Sequence, residues 1–139
     1  MSNWTHVAGI VRLDYLRLDR LDPDFDTMFG RSVQSSDDWY EYDAKPESFL
    51  PTGSEGSLTK QVWINPDKSS IAAYTVTIFG DLRDHDDPQD IIDWFKKKCR
   101  ESKKFGCLIR NATILVENER YGSCSWQDCM DPSFYEDEG

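Results

Sequence analysis

Residues 87–106, DPQDIIDWFKKKCRESKKFG, carry the clearest folding instruction in the chain. Asp87 followed by Pro88 is N-cap chemistry with proline at the first helical position, where its missing N–H costs nothing. Ile91, Ile92, Phe95 and Cys99 recur at helical spacing. Acids lead the segment, and Lys96, Lys97, Lys98, Arg100, Lys103 and Lys104 end it, as the helix dipole favours. Gly106 supplies the stop, so the pattern predicts a helix over 88–103. A helix with one apolar stripe has to lie on something. The flanking stretches supply it: SIAAYTVTIF at 70–79 alternates with period two, and CLIRNATILVE at 107–117 is rich in β-branched residues.

The rest of the chain repeats this grammar. Residues 4–14, WTHVAGIVRLD, read as a strand. Asp22-Pro23 and Gly30 bracket a short helix over 23–29, with Phe25, Met28 and Phe29 on one face. Residues 59–65 read as a strand that the turn sequence Asn65-Pro66-Asp67-Lys68 folds back onto 70–79. After Asn118-Glu119, residues 120–126 form an appended strand. The order is strand, helix, strand, strand, helix, strand, strand. It predicts an α+β, ferredoxin-like (βαββαβ) antiparallel sheet with 4–14 and 70–79 central and two helices on one face. Residues 31–58 show no clear period and are expected as a long loop carrying Trp39, Tyr40 and Tyr42. Residues 1–130 then make one domain, and 131–139 an acidic tail.

Composition excludes several functions. A net charge of −10 opposes a broad nucleic-acid footprint or an anionic membrane surface and attracts a basic partner. No run approaches the roughly 20 apolar residues of a membrane span, and the start lacks a secretion-signal pattern, so a cytoplasmic setting is expected. Cys99, Cys107, Cys124 and Cys129 form no CxxC pair, and Asp81, Asp84, Asp86 and Asp87 do not match a calcium loop. Neither a metal nor a cofactor is therefore expected. His6 and His85 stand without a nucleophile motif, which leaves no catalytic residue to name.

The candidate ligand contacts centre on PTGSEGSLTK, 51–60. Gly53 and Gly56 can open backbone N–H groups to a phosphate, and Ser54, Ser57 and Lys60 can add donors. The same composition also describes a flexible turn entering a strand, and a strand rather than a helix follows it. Arg83 is either a local ion-pair partner in an acidic loop or a bidentate anion clamp. Trp39 and Tyr40 either cap the open sheet face or stack on a planar ligand.

LPTGSEGS, VWINPDKSSIAAYTVTIFGDLRD and DDPQDIIDWFKKKC together resemble small acidic proteins encoded by tailed bacteriophages, over about residues 48–120. The resemblance implies a non-enzymatic role in the host cytoplasm: sequestering a small phosphorylated ligand, such as a nucleotide immune signal, to counter host defence. Two other functions stay open, an acidic module that inhibits a basic host protein and a phosphoesterase-like enzyme. A homodimer or higher homo-oligomer would cover the second sheet face.

Overall fold

The computed structural model describes residues 2–16, 22–64, 71–85 and 87–129. These form an α+β protein with a five-stranded antiparallel sheet and three helices. The strands are β1 (Trp4–Leu16), β2 (Thr59–Ile64), β3 (Ile71–Arg83), β4 (Cys107–Asn118) and β5 (Gly122–Cys129). Their spatial order is β2-β3-β1-β4-β5, so β1 and β3 lie inside the sheet and pair along their whole lengths from Trp4↔Arg83 to Leu16↔Ile71. The helices are α1 (Phe25–Phe29), α2 (Ser36–Ala44) and α3 (Pro88–Glu101).

One face of the sheet carries the core. Val7, Val11 and Leu13 of β1, Tyr74, Val76 and Ile78 of β3, and Ile109, Ile114 and Val116 of β4 form one cluster with Ile91, Ile92, Phe95 and Cys99 of α3 and Met28 and Phe29 of α1. The alternation read in 70–79 is the two-residue period of a strand with one buried side. The residues between, including Ile10, Phe79 and Leu115, lie on the other face and stay exposed. Among the described residues no helix is long and apolar enough to cross a membrane.

Helix α3 starts where the sequence says: Asp87 accepts a hydrogen bond from Gln89 N at 3.0 Å, and Pro88 occupies the first turn. It ends earlier, at Glu101. A 3-10 turn over Ser102–Phe105 follows and closes on Gly106 in the left-handed region at φ 79°. The first short helix begins at Phe25, because Asp24 and not Asp22 caps it by accepting from Thr27 N. Asp22 instead accepts from the Tyr74 hydroxyl.

The largest departure lies in 31–58. The expected loop contains α2 and a 3-10 turn over Pro46–Ser48. Ser35 and Asp38 form a reciprocal capping box that starts α2. None of its residues is buried, so it has no apolar period for a sequence reading to detect. Strand β3 also runs on to Arg83, which places that residue in the sheet and not in an acidic loop. The expected Asn65–Lys68 turn, Asp86 and the acidic tail lie outside the described residues.

Candidate functional site

The stretch 51–60 folds against the end of β3. Ser54 N donates to Arg83 O at 2.8 Å, and Arg83 N donates to Glu55 O at 3.0 Å. Gly53 N closes on Gly56 O and Leu58 N on Pro51 O. The glycines have a steric cause. A Cβ on Gly53 would sit 2.3 Å from Arg83 O, and one on Gly56 would sit 2.2 Å from Asp81 O at a backbone φ of +84°. The glycine pattern is thus accounted for by close backbone approach. The side chains follow suit. Arg83 Nη1 lies 2.6 Å from Glu55 Oε1, and the Ser54 hydroxyl donates to Asp84 Oδ2 at 3.0 Å. The Asp84 carboxyl is held below its ordinary range, first by the Asn3 backbone N–H and then by Ser54. Of the expected contacts, Gly53, Ser54, Gly56 and Arg83 do come together, but as a turn bonded to itself.

The other expected residues go elsewhere. Ser57 accepts from Val33 N at 3.0 Å and donates to Leu58 O. Lys60 binds Asp26 and donates to Gly30 O at 2.8 Å, tying β2 to α1. Trp39 packs edge-on against Tyr42, and Tyr42 against Phe49, with ring centroids 5.8 and 5.9 Å apart. Tyr40 is 86% exposed.

That aromatic chain leads into a cleft between the 31–49 segment and α3. One lobe has a volume of about 550 Å³ and a second about 220 Å³, and the two share Glu47, Phe49, Lys97 and Lys98 as walls. The smaller lobe adds Tyr42, Pro46, Pro51, Ile91 and Trp94, an apolar and aromatic lining. The larger adds Asp26, Arg31, Glu41, Lys45 and Glu101. Volumes of this size suit a small organic ligand.

The four acidic and four basic side chains lining the larger lobe balance in number but do not all pair. Arg31 pairs with Glu41 at 2.6 Å and lies 4.6 Å over the Phe49 ring. Lys97 pairs with Glu101 at 3.9 Å, and Asp26 with Lys60. Lys98 is 8% exposed, and its ammonium donates to one group, the Glu47 backbone carbonyl, at 3.3 Å. Among the described residues neither Lys98 nor Lys45 makes an ion pair. A lysine 8% exposed, lining the cleft with one neutral acceptor and no ion pair among the described residues, can offer an entering anion a charge-assisted hydrogen bond.

His85 adds a second polar group to the smaller lobe. Its Nδ1 lies 3.3 Å from Thr52 O. A carbonyl only accepts, so Nδ1 carries the proton and Nε2 is left as a bare acceptor in the neutral ring. Nε2 is shut off from solvent and has no hydrogen-bond partner among the described residues. Cys99, Cys107 and Cys124 are free thiols. Burial pushes Cys107 up to about 11 and Cys99 higher still, so neither is a thiolate at neutral pH.

Sequence reasoning passed over Lys98 because it sits in a basic run at a helix C-terminus. Helical arithmetic holds the missing signal. Lys98 follows Ile91 by seven residues and Phe95 by three, which puts it on the buried stripe. Phe49 and Trp94 had no such signal.

No family model, curated protein or solved structure matches this chain.

Proposed function

We propose that this is a non-enzymatic binding protein that sequesters a small phosphorylated ligand in the cleft between the 31–49 segment and α3. The observation that carries the reading is Lys98, a lysine 8% exposed and without an ion pair among the described residues, in the wall common to both lobes. A phosphate there would gain charge-assisted hydrogen bonds from Lys98, with Lys45 within the same lobe. The lining of Tyr42, Phe49 and Trp94 suits a planar ring. Phosphate and ring together suit a nucleotide.

The antiparallel order β2-β3-β1-β4, with α1 and α3 packed into the one core, supports a ferredoxin-like arrangement to which β5 is appended. In this reading the protein is phage-encoded, works in the host cytoplasm and withdraws a nucleotide immune signal. The 51–60 turn is then scaffold, and Trp39 supports the cleft by packing on Tyr42.

The test is a thermal-shift screen against mono-, di- and cyclic nucleotides, with inorganic pyrophosphate as the phosphate-only control. A nucleotide at about 100 times its Kd should stabilise by roughly 2.7 kcal/mol. That shift should vanish in Lys98→Met and survive in Arg83→Ala. A shift that Arg83→Ala abolishes and Lys98→Met leaves intact would return the site to the 51–60 turn. No shift across the panel would sink the nucleotide reading and favour an acidic surface that blocks a basic host protein.

A further inference from the structure

The side of the sheet away from the helices is an unusual surface for so acidic a chain. Directly paired residues of an antiparallel sheet share a face, so the register identifies its members. Ala8 pairs with Phe79 on one side and Leu115 on the other, and Ile10 with Thr77 and Thr113. Ile10, Phe79 and Leu115 are 39%, 38% and 42% exposed, and they stand side by side at the centre. On the outer strands Thr59 and Gln61 of β2 and Ser125 and Gln127 of β5 flank them, and beyond Gln61 stands Trp63, 57% exposed. An apolar centre flanked by polar residues is how an interface is built.

The ends of the face say what the cover is. At the level of His6 the face is acidic. His6 lies between Asp81, at 2.6 Å, and Glu119, at 3.1 Å, and it pairs in register with Asp81 and Glu117. Toward the other end stands Arg12, exposed and without an ion-pair partner among the described residues. Beyond it Arg110 and Asp14 neutralise each other at 3.0 Å. The face is therefore negative at one end and apolar in the middle, and at the other end Arg12 supplies a positive charge beside the exposed Trp63 and Leu108.

We infer that this face is the contact surface of an isologous dimer formed with a second copy of the same chain. A two-fold axis crossing the strands midway between Ala8 and Ile10 stacks the two apolar centres. It also lays Arg12 of the second copy over His6, between the carboxylates of Asp81 and Glu117. A surface that complements itself under one rotation is what a two-fold dimer requires. A purely basic partner would meet Arg12 with repulsion, and a purely acidic one would meet Asp81 and Glu117.

The size is sufficient. The four spacings of about 4.8 Å between five strands and the eight rises of about 3.3 Å from His6 to Asp14 give roughly 500 Å² per copy, or about 1,000 Å² in the pair. That is the lower bound for a specific interface, so the dimer forms reversibly with concentration. The cleft beside α3 lies on the helical side and stays open in it.

Sedimentation equilibrium over about 1–200 µM decides the matter. The expected result is a monomer–dimer equilibrium. Leu115→Lys and Phe79→Lys, both at exposed positions, should give monomer throughout, with an unchanged far-ultraviolet spectrum showing that the fold is kept. Arg12→Glu should weaken the dimer by about tenfold or more. Adding Glu117→Arg to Arg12→Glu should recover it, because the swap restores opposite charges across the axis. A monomer at every concentration would overturn the inference, as would a dimer indifferent to Leu115→Lys. Failure of the charge swap to recover association would overturn the stated stacking.

Discussion

Replacing Lys98 by methionine tests the binding reading at its root, because the reasoning demands opposite effects on stability and on affinity. Lys98 is 8% exposed, and its ammonium has a single carbonyl acceptor at 3.3 Å. Removing a charge from water without a counter-ion costs several kcal/mol even after the protein relaxes. One hydrogen bond from a charged donor returns about 1.5–3 kcal/mol, and at 3.3 Å it falls at the low end. Because the ammonium lines the cleft, the balance leaves it unfavourable by at most about 1–2 kcal/mol in the free protein. Methionine keeps most of the apolar stem and removes the charge. The Glu47 carbonyl that loses its donor belongs to an exposed residue and can turn to water. Lys98→Met should therefore raise the melting temperature by up to roughly 7 °C for a chain of this length. Urea and thermal unfolding, each with and without the nucleotide identified by the screen, measure both effects. The ligand's stabilisation should be lost in the same variant. A Lys98→Met protein destabilised by more than about 1 kcal/mol would refute the reasoning, since the ammonium would then be well satisfied without a ligand.

Three further outcomes follow from the same geometry. Hydrogen bonds to Asp81 and Glu119 raise His6 above its ordinary value of 6.5, so the folded form holds that proton more tightly than the unfolded chain. The resulting stability is full below about pH 6.5 and fades as pH climbs through the raised value; denaturant titrations at pH 5.5 and 8.5 should show it, and His6→Gln should flatten the difference. Gly56→Ala places a methyl 2.2 Å from Asp81 O at a φ of +84° and should lower stability by about 1–3 kcal/mol, read as a shifted urea midpoint, while leaving ligand affinity intact. Ser35→Ala removes the capping box and should cost α2 about 1 kcal/mol, seen as faster amide exchange within Ser36–Ala44, while the global midpoint barely moves because that helix buries nothing.

The parts of the fold legible in the sequence are those with a physical period. The two-residue alternation of 70–79 and the stripe of Ile91, Ile92, Phe95 and Cys99 both reflect one buried side, and each lies within the element expected for it. The ends are less legible: α3 stops at Glu101, and β3 continues to Arg83 after its apolar alternation stops. Helix α2 left a different trace. Its evidence is Ser35 followed three residues later by Asp38, a capping signal with no apolar face behind it. It forms through its cap and through the packing of Tyr42 on Phe49, a contact that no local pattern encodes.

The cleft was hidden for a related reason. Glycine and serine in PTGSEGS looked like phosphate-binding chemistry because that chemistry and tight backbone packing call for the same residue types. The structure separates them through the β3 carbonyls, which stand 2.3 and 2.2 Å from where side chains on Gly53 and Gly56 would begin. Lysine has the reverse ambiguity. Lys96, Lys97 and Lys98 are equivalent as a basic run at the dipole's negative end. Only the 100° turn per residue distinguishes them, rotating Lys98 onto the stripe of Ile91 and Phe95 and under the 31–49 segment. A long polar side chain on the buried stripe has a cost that its neighbours in the run do not have. That cost, more than any motif, is the observation on which the proposed site rests.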